Sequence, residues 1–583
     1  MVRSTDGLYH PVMRFRTCSW LTFLVLLPAV AVAQPAPRIS AAPTALTADD
    51  YARAERFMAY NTIPLVFGAS ARATWTSDDQ FWYRTTTSTG PIAWLVDAAK
   101  KTRTPCTLEP CTANNPTPLP DGARSPDGRY TAFIRDWNLW VREEATNNEI
   151  PLTSDGIVDF GYATDNAGWT RSERPILTWS PDSTRIATFQ QDQRGVGEMY
   201  LVDTNVGHPK LQAWKYPLPG DTKITTIQPV VLDVAARSVV RLQMPPFEHR
   251  SSLCDDVSCR DEEWSDVQWS ADAATLALLS TSRDHRHEQL FVANAVTGRV
   301  RSVLEEQVDT FFESGNGQVN WRYLPASDEV LWFSERDDWG QLYLYDGSTG
   351  RLKQQITTGT GNVTQLLRVD EERRLLYFTA VGKERGRDPY FRHFYRIGFD
   401  GRGQRLLTPA NADHDIQLSP SGRWFVDTHS TPDTPSVAEL RDDNGALVLP
   451  LERADISRLT ASGWKPPRPI TVKARDGVTD LYGLLYVPTT LDPARKYPIV
   501  NHIYPGPQTG SVGSRSFVPA RGDAQALAEL GFVVVELDGM GTPWRSKTFH
   551  EAYYGNMGDN TLADQVTGMQ QLAARFPWID MNR

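Results

Sequence analysis

Between about residues 70 and 455 one arrangement of polar and apolar positions keeps returning. A turn of Ser, Pro, Asp and Gly leads into a short apolar strand, then a second turn, then a strand that closes on Asp. The first turn stands at Trp75-Thr76-Ser77-Asp78, Ser125-Pro126-Asp127-Gly128, Trp179-Ser180-Pro181-Asp182 and Trp269-Ser270-Ala271-Asp272. It returns at Leu324-Pro325-Ala326-Ser327-Asp328 and Leu418-Ser419-Pro420-Ser421-Gly422. Most intervals are about 40–56 residues, and the longer one from Asp182 to Asp272 predicts a degenerate unit between them. Each unit reads as four short strands, as in residues 330–334 followed by 341–345 across Asp337-Asp338-Trp339-Gly340. Four strands at such a period predict a β-propeller, here of seven or eight blades. Stacked β-sandwiches would need linkers, and no Gly/Ser- or Pro-rich linker precedes residue 460.

After Trp464 the pattern changes to α/β. Lys465-Pro466-Pro467-Arg468-Pro469 forms a hinge, followed by a strand, a turn at Asp476-Gly477 and a second strand over 481–487. Buried strands are predicted over 499–504 and 532–537, with a helix over 524–530 between them. An amphipathic helix over 561–576 follows, with Thr561 or Asn560 as N-cap and Asp564 in its first turn. Alternating strands and helices predict a parallel sheet covered on both faces. The fold class expected is therefore mainly β, a propeller followed by an incomplete α/β domain. Its segments are residues 1–33 as a signal peptide, 34–69 as an extension with a helix, 70–460 as the propeller and 461–583 as the α/β part.

Composition narrows the function classes. With 40% hydrophobic and 22% charged residues the chain is globular rather than disordered or fibrous. Its net charge of −10 supplies no electrostatic reason to bind nucleic acid or an anionic membrane. Arg14 and Arg16 precede an apolar run over 20–32 closed by Ala31-Val32-Ala33, which reads as a secretory signal, too short to span a bilayer. The expected location is periplasmic or secreted, with a mature chain that does not span the membrane. Export favours closing the two C-x4-C pairs, Cys106/Cys111 and Cys254/Cys259, as local disulfides rather than as metal ligands. His285-Arg286-His287-Glu288 reads as a solvated turn, Thr358-Gly359-Thr360-Gly361-Asn362 as a hairpin turn, and Asp370-Glu371-Glu372-Arg373-Arg374 as a charged turn between blades. No metal site and no cofactor is assigned.

The repeats hold Phe133-Ile134-Arg135-Asp136-Trp137-Asn138-Leu139, Ser334-Glu335-Arg336-Asp337-Asp338-Trp339 and Leu342-Tyr343-Leu344-Tyr345-Asp346. Beyond them stand Lys496-Tyr497-Pro498, Tyr504-Pro505-Gly506-Pro507, Asp538-Gly539-Met540-Gly541 and Ala563-Asp564-Gln565. In this order these motifs resemble those of the exported serine peptidases of the prolyl oligopeptidase group, dipeptidyl peptidase IV branch. The resemblance implies an α/β-hydrolase domain, peptide substrates and an acyl-enzyme mechanism with the nucleophile on a G-x-S-x-G elbow.

No G-x-S-x-G occurs in the 583 residues. In the family the elbow strand begins after a segment similar to Phe576-Pro577-Trp578-Ile579-Asp580, so the expectation is an N-terminal fragment. Ser, Asp and His would all lie beyond Arg583, and the chain alone would be inactive. Tyr504 matches the family's oxyanion donor. Thr164 and Asp165 stand where the family's glutamate pair holds the substrate amine, which leaves exo- and endopeptidase action both open. Glu143-Glu144 lies too far ahead of Trp179 to be that pair. Asp538 and Asp564 are expected to brace structure, and dimerisation does not carry over. The alternative from another class is a non-catalytic periplasmic β-propeller serving as a binding module.

Overall fold

A computed structural model describes residues 45–583 apart from 110, 112–121, 165–173, 249–263, 265, 313–319 and 505. The signal segment, Asp165, Cys254 and Cys259 lie outside the described residues. Among those described, seven large antiparallel sheets follow one another from Thr74 to Arg453, six with four strands and the third with six, beside one two-stranded sheet.

The turn motif explains itself chemically. In the second, third and fourth sheets the Ser hydroxyl donates to the Asp two residues on, Ser125 to Asp127 at 2.8 Å, Ser180 to Asp182 at 2.6 Å and Ser270 to Asp272 at 2.6 Å. The same hydroxyl accepts the backbone N–H five residues on, from Tyr130, Arg185 and Thr275. The Asp then accepts the N–H of Arg129, Thr184 or Ala274. Backbone groups that a tight turn leaves unpaired are thus satisfied by side chains within five residues.

The structure corrects three readings of the repeats. Where a degenerate unit is expected after Asp182, the strands Glu198–Asp203 and Lys210–Lys215 instead form a separate two-stranded arm. The chain then returns through Thr226–Asp233, which pairs with Arg185–Asp192 inside the third blade. The arm's Tyr200, Leu201, Val202 and Leu211 are exposed. The Asp370–Arg374 run is not a turn between blades. It joins Asn362–Asp370 to Leu375–Val381 within the sixth blade, where Asp370 accepts the Arg373 N–H at 3.0 Å and replaces the Ser-Asp pair. The Thr358–Asn362 turn in turn connects two blades rather than two paired strands.

Alternating strand residues fill the spaces between sheets. Phe81, Tyr83 and Val96 of the first blade pack with Val426, Ala438, Leu440 and Leu451 of the last, which closes the ring. Tyr83 donates to Glu452 at 2.8 Å, and Trp424 Nε1 donates to Asp79 at 2.8 Å across the same seam.

The C-terminal sheet runs in the order Arg468–Lys473, Asp480–Tyr486, Val533–Asp538, Tyr497–Asn501, Ile579–Asp580. Its first two pairings are antiparallel and its last two parallel, so it is mixed rather than all-parallel. The Asp476-Gly477 turn is short enough only for a hairpin, and that decides the first pairing. Val533, Val535 and Leu537 face Leu572 of the helix Leu562–Arg575, while Val534 faces Ala524 and Ala528 of Ala524–Glu529. Both faces are covered. Thr561 does occupy the N-cap, but at φ +55° and with no side-chain cap. It is buried against Gly539, where a Cβ would meet Thr561 Cβ at 2.9 Å. Among the described residues no helix is long and apolar enough to cross a membrane.

Candidate active site between the propeller and the C-terminal sheet

Two loops leave the carboxyl ends of adjacent parallel strands, residues 502–523 after Tyr497–Asn501 and residues 539–546 after Val533–Asp538. Ligands of open α/β sheets bind at such ends, because side chains from neighbouring loops converge there. The first strand stops earlier than its apolar run predicts. His502 turns its Nδ1 to Glu536 Oε1 at 2.9 Å, and Tyr486 donates to the other Glu536 oxygen at 2.9 Å. Burial pushes the Glu536 carboxyl above its ordinary range, while these two bonds oppose the rise.

Asp538 braces the first loop. Its carboxylate is 2% exposed, accepts the Val512 N–H at 3.1 Å and pairs with Arg515 Nη2 at 2.6 Å. Gly510 passes so close that a Cβ there would lie 2.3 Å from Asp538 Oδ1. Arg515, itself 3% exposed, also stands 3.6 Å from Asp388 and lies over the Tyr390 ring at 4.3 Å. Burial raises the Asp388 carboxyl, with Arg515 opposing it, and burial pushes the Tyr390 hydroxyl up to about 12.

Both loops dock on the propeller. Ser516 donates to Asp413 at 2.7 Å, Asp413 holds Arg392 at 2.8 Å, and the Phe517 N–H donates to Ser430 at 2.8 Å. From the other side Lys547 pairs with Glu335 at 3.0 Å, and Thr548 donates to Asp338 at 2.7 Å. Asn362 Nδ2 donates to the Arg545 carbonyl at 2.7 Å. Between these anchors lies a cavity of about 400 Å³, lined by Tyr390, Arg392, Asp413, Arg515, Asp538 and Trp544 among others. Its lining is mixed, with the charged Arg392, Asp413, Arg515 and Asp538 set beside the rings of Tyr390 and Trp544.

Tyr504 sits in the first loop with its side chain 58% exposed, its backbone tied to Ser511 by an N–H bond of 3.1 Å. His550 Nε2 donates to the Pro507 carbonyl at 2.7 Å and steadies the same stretch. Thr164 is buried next to the strand Phe160–Tyr162 in the third blade, its hydroxyl 3.4 Å from Gln191 Oε1. Gln190 and Gln193 nearby are buried with both amide atoms unbonded. Cys106 and Cys111 are joined by a disulfide with Cα atoms 5.9 Å apart. Asp564 accepts from Arg475 and from the Met540 N–H, so it too braces a loop.

Sequence reasoning missed Arg515, Asp413, Asp388 and Tyr390. Most of their partners are remote in the chain, and no local motif marks them.

Comparison with known proteins decides the family. The dipeptidyl peptidase IV N-terminal region matches over residues 76–436, and the prolyl oligopeptidase family matches over 520–583. The chain belongs to the dipeptidyl peptidase IV-like branch of the prolyl oligopeptidase family. Among its relatives is a probable dipeptidyl-aminopeptidase B of Emericella nidulans, 24% identical over 84% of this chain and 55% of that protein. Another, from Aspergillus terreus, is 24% identical over 84% of this chain and 54% of its own length. The chain spans about half the length of the curated relatives it matches. The crystal structure of Porphyromonas gingivalis dipeptidyl peptidase 4 superposes with a TM-score of 0.65 at 21% identity, covering 89% of this chain and 69% of that one. That likeness confirms the propeller and hydrolase fold.

Proposed function

We propose that this sequence belongs to an exported serine-type peptidase that admits peptides to the chamber between propeller and hydrolase and cleaves them through an acyl-enzyme. The observation that carries the reading is the placement of Tyr504. Its exposed side chain follows the carboxyl end of a parallel strand, in the loop whose residues Gln508–Gly510 line the cavity, and that strand is the neighbour of Ile579–Asp580, which pairs with Tyr497 and Pro498. A nucleophile at the end of that neighbouring strand would meet the Tyr504 hydroxyl, the arrangement an oxyanion donor needs. By the family resemblance Thr164 and Asp165 are the candidate contacts for a substrate's N-terminal end, where a single carboxylate replaces the glutamate pair. The basic start, apolar run and Ala31-Val32-Ala33 site of residues 1–33 support export to the periplasm or medium. Lacking any G-x-S-x-G, the 583-residue polypeptide by itself hydrolyses nothing.

Fluorophosphonate labelling tests this directly. The 583-residue polypeptide takes no adduct, and a whole protein of the relatives' length takes one on a single serine. In that protein Tyr504→Phe lowers kcat by about 10²–10³ with KM little changed. A serine adduct on the shorter polypeptide, or full kcat in the Phe variant, sinks the reading. Comparing a dipeptidyl amide with its N-acetyl form then separates exo- from endopeptidase action.

A further inference from the structure

The seventh blade buries a group of polar side chains that neither the proposed reaction nor the docking of the loops uses. His414 on the strand Asp413–Leu418 lies opposite His429 on Trp424–Thr431 in the antiparallel register. Asp427 stands two residues before His429, and side chains two apart on a strand share a face. The pattern Asp-x-His on one strand with a cross-strand His therefore aims three donor groups at one point. His414 is 1% exposed and Asp427 is fully buried. One ligand atom from each of the three residues lies within 4.8 Å of the others.

The hydrogen bonding at that point is unfinished. His414 Nε2 stands 3.1 Å from the Ala410 carbonyl and donates to it, which turns Nδ1 toward Asp427 Oδ1 at 2.7 Å. His429 Nδ1 lies 3.6 Å from Asp427 Oδ2, too far for a hydrogen bond. Asp427 Oδ2 and His429 Nδ1 are both buried without a hydrogen-bond partner, as is Nδ1 of His393, whose ring lies 5.1 Å from that of His414. Buried polar atoms are nearly always satisfied, so several orphans in one place point to a missing group among them. A carboxylate oxygen and the unprotonated nitrogen of a neutral imidazole are electron-pair donors, and with His414 Nε2–H given to Ala410 its Nδ1 is such a nitrogen, so a cation satisfies it together with Asp427 and His429.

We propose that His414, Asp427 and His429 bind one divalent transition-metal ion, of the zinc class that takes imidazole and carboxylate ligands. A metal-bound imidazole commonly donates its second nitrogen to a backbone carbonyl, as His414 does to Ala410. Tetrahedral zinc with bonds of about 2.0–2.1 Å spaces its ligand atoms about 3.4 Å apart, within the range these atoms already span. Arg441 opposes a cation here, because its Nε lies 3.2 Å from Asp427 Oδ2 without hydrogen-bond geometry. It also pairs with Glu439, so it keeps a carboxylate when the metal takes Asp427. The ion would staple the first two strands of the blade that closes the ring.

The test loads the metal-stripped 583-residue polypeptide with zinc and, separately, with cobalt. One equivalent of zinc binds saturably, and cobalt shows the intense visible absorption of four-coordinate nitrogen and oxygen ligation. His429→Ala weakens zinc binding by about 10²-fold or more with an unchanged far-UV spectrum, whereas His287→Ala, at the start of the strand His287–Asn294 in the fourth blade, changes nothing. No saturable uptake, a pale six-coordinate cobalt spectrum, or uptake that survives His429→Ala overturns the proposal. The cobalt spectrum needs no variant, so a misfolded His429→Ala protein leaves the test intact.

Discussion

Replacing Arg515 with Ala removes the cation on which the chamber's walls converge. Asp538 keeps only the Val512 N–H, Asp388 keeps the Tyr390 N–H at 2.9 Å, and Tyr390 loses the nearer guanidinium over its ring and keeps that of Arg545 at 6.0 Å. Stripping one partner from a buried ion pair costs about 3–5 kcal/mol, because the carboxylate left behind is neither solvated nor paired. The loss falls on the loop that Arg515 and Asp538 tie together, so local opening reports it best. Hydrogen exchange of the Val512 and Phe517 amides, bonded to Asp538 and Ser430, should accelerate by about 10²–10³-fold or more, at 1.4 kcal/mol per decade. Arg515→Met with Asp538→Asn removes both charges and should recover at least half of that protection. Exchange in Arg515→Ala within tenfold of the parent would refute the charge argument. A double variant as open as Arg515→Ala would place the cost in packing instead.

Glu329 of the fifth blade accepts from Lys353 and from Arg374 of the sixth. Burial raises its carboxyl, but these partners outweigh burial and hold it at about 2 against an ordinary 4.5. The stabilisation is therefore complete above pH 4.5 and lost as pH falls towards 2. Because both cations are over 40% exposed, it amounts to roughly 1–2 kcal/mol. Urea unfolding of Glu329→Gln should show that deficit at pH 7 and none near pH 2; a constant deficit would assign it to shape instead. Gly541 has φ +102°, and a Cβ there would lie 1.9 Å from the Tyr553 ring, so Gly541→Ala should cost at least about 2 kcal/mol in the same assay. A loss below about 0.5 kcal/mol would mean that Tyr553 moves freely.

How much could be read without coordinates depended on the range of the interactions. The Ser-x-Asp turns were legible because every bond that makes them lies within five residues. The sixth blade was misread because Asp370 does the turn's work alone, without the Ser and Pro that mark the others. Hairpin and helix types in the α/β part followed from apolar period and turn length, yet the strand before Tyr504 ended early, where a histidine found a buried glutamate on the neighbouring strand. Tyr504 and Thr164 were found through family motifs. Arg515 carried no such mark, since Asp388 and Asp538 lie 127 positions before it and 23 after.

Local order alone thus determined the repeat, its turn chemistry, the change of texture near residue 460 and the family. Tertiary structure decided how many sheets stand among the described residues, which seam closes the ring, and where charge is buried. Each of those depends on side chains brought together from distant parts of the chain, such as Tyr83 with Glu452, Ser516 with Asp413, or His414 with Asp427 and His429. A strand pattern says which face is apolar. It does not say which blade that face will meet, and the polar groups trapped in that meeting acquire their partners only there.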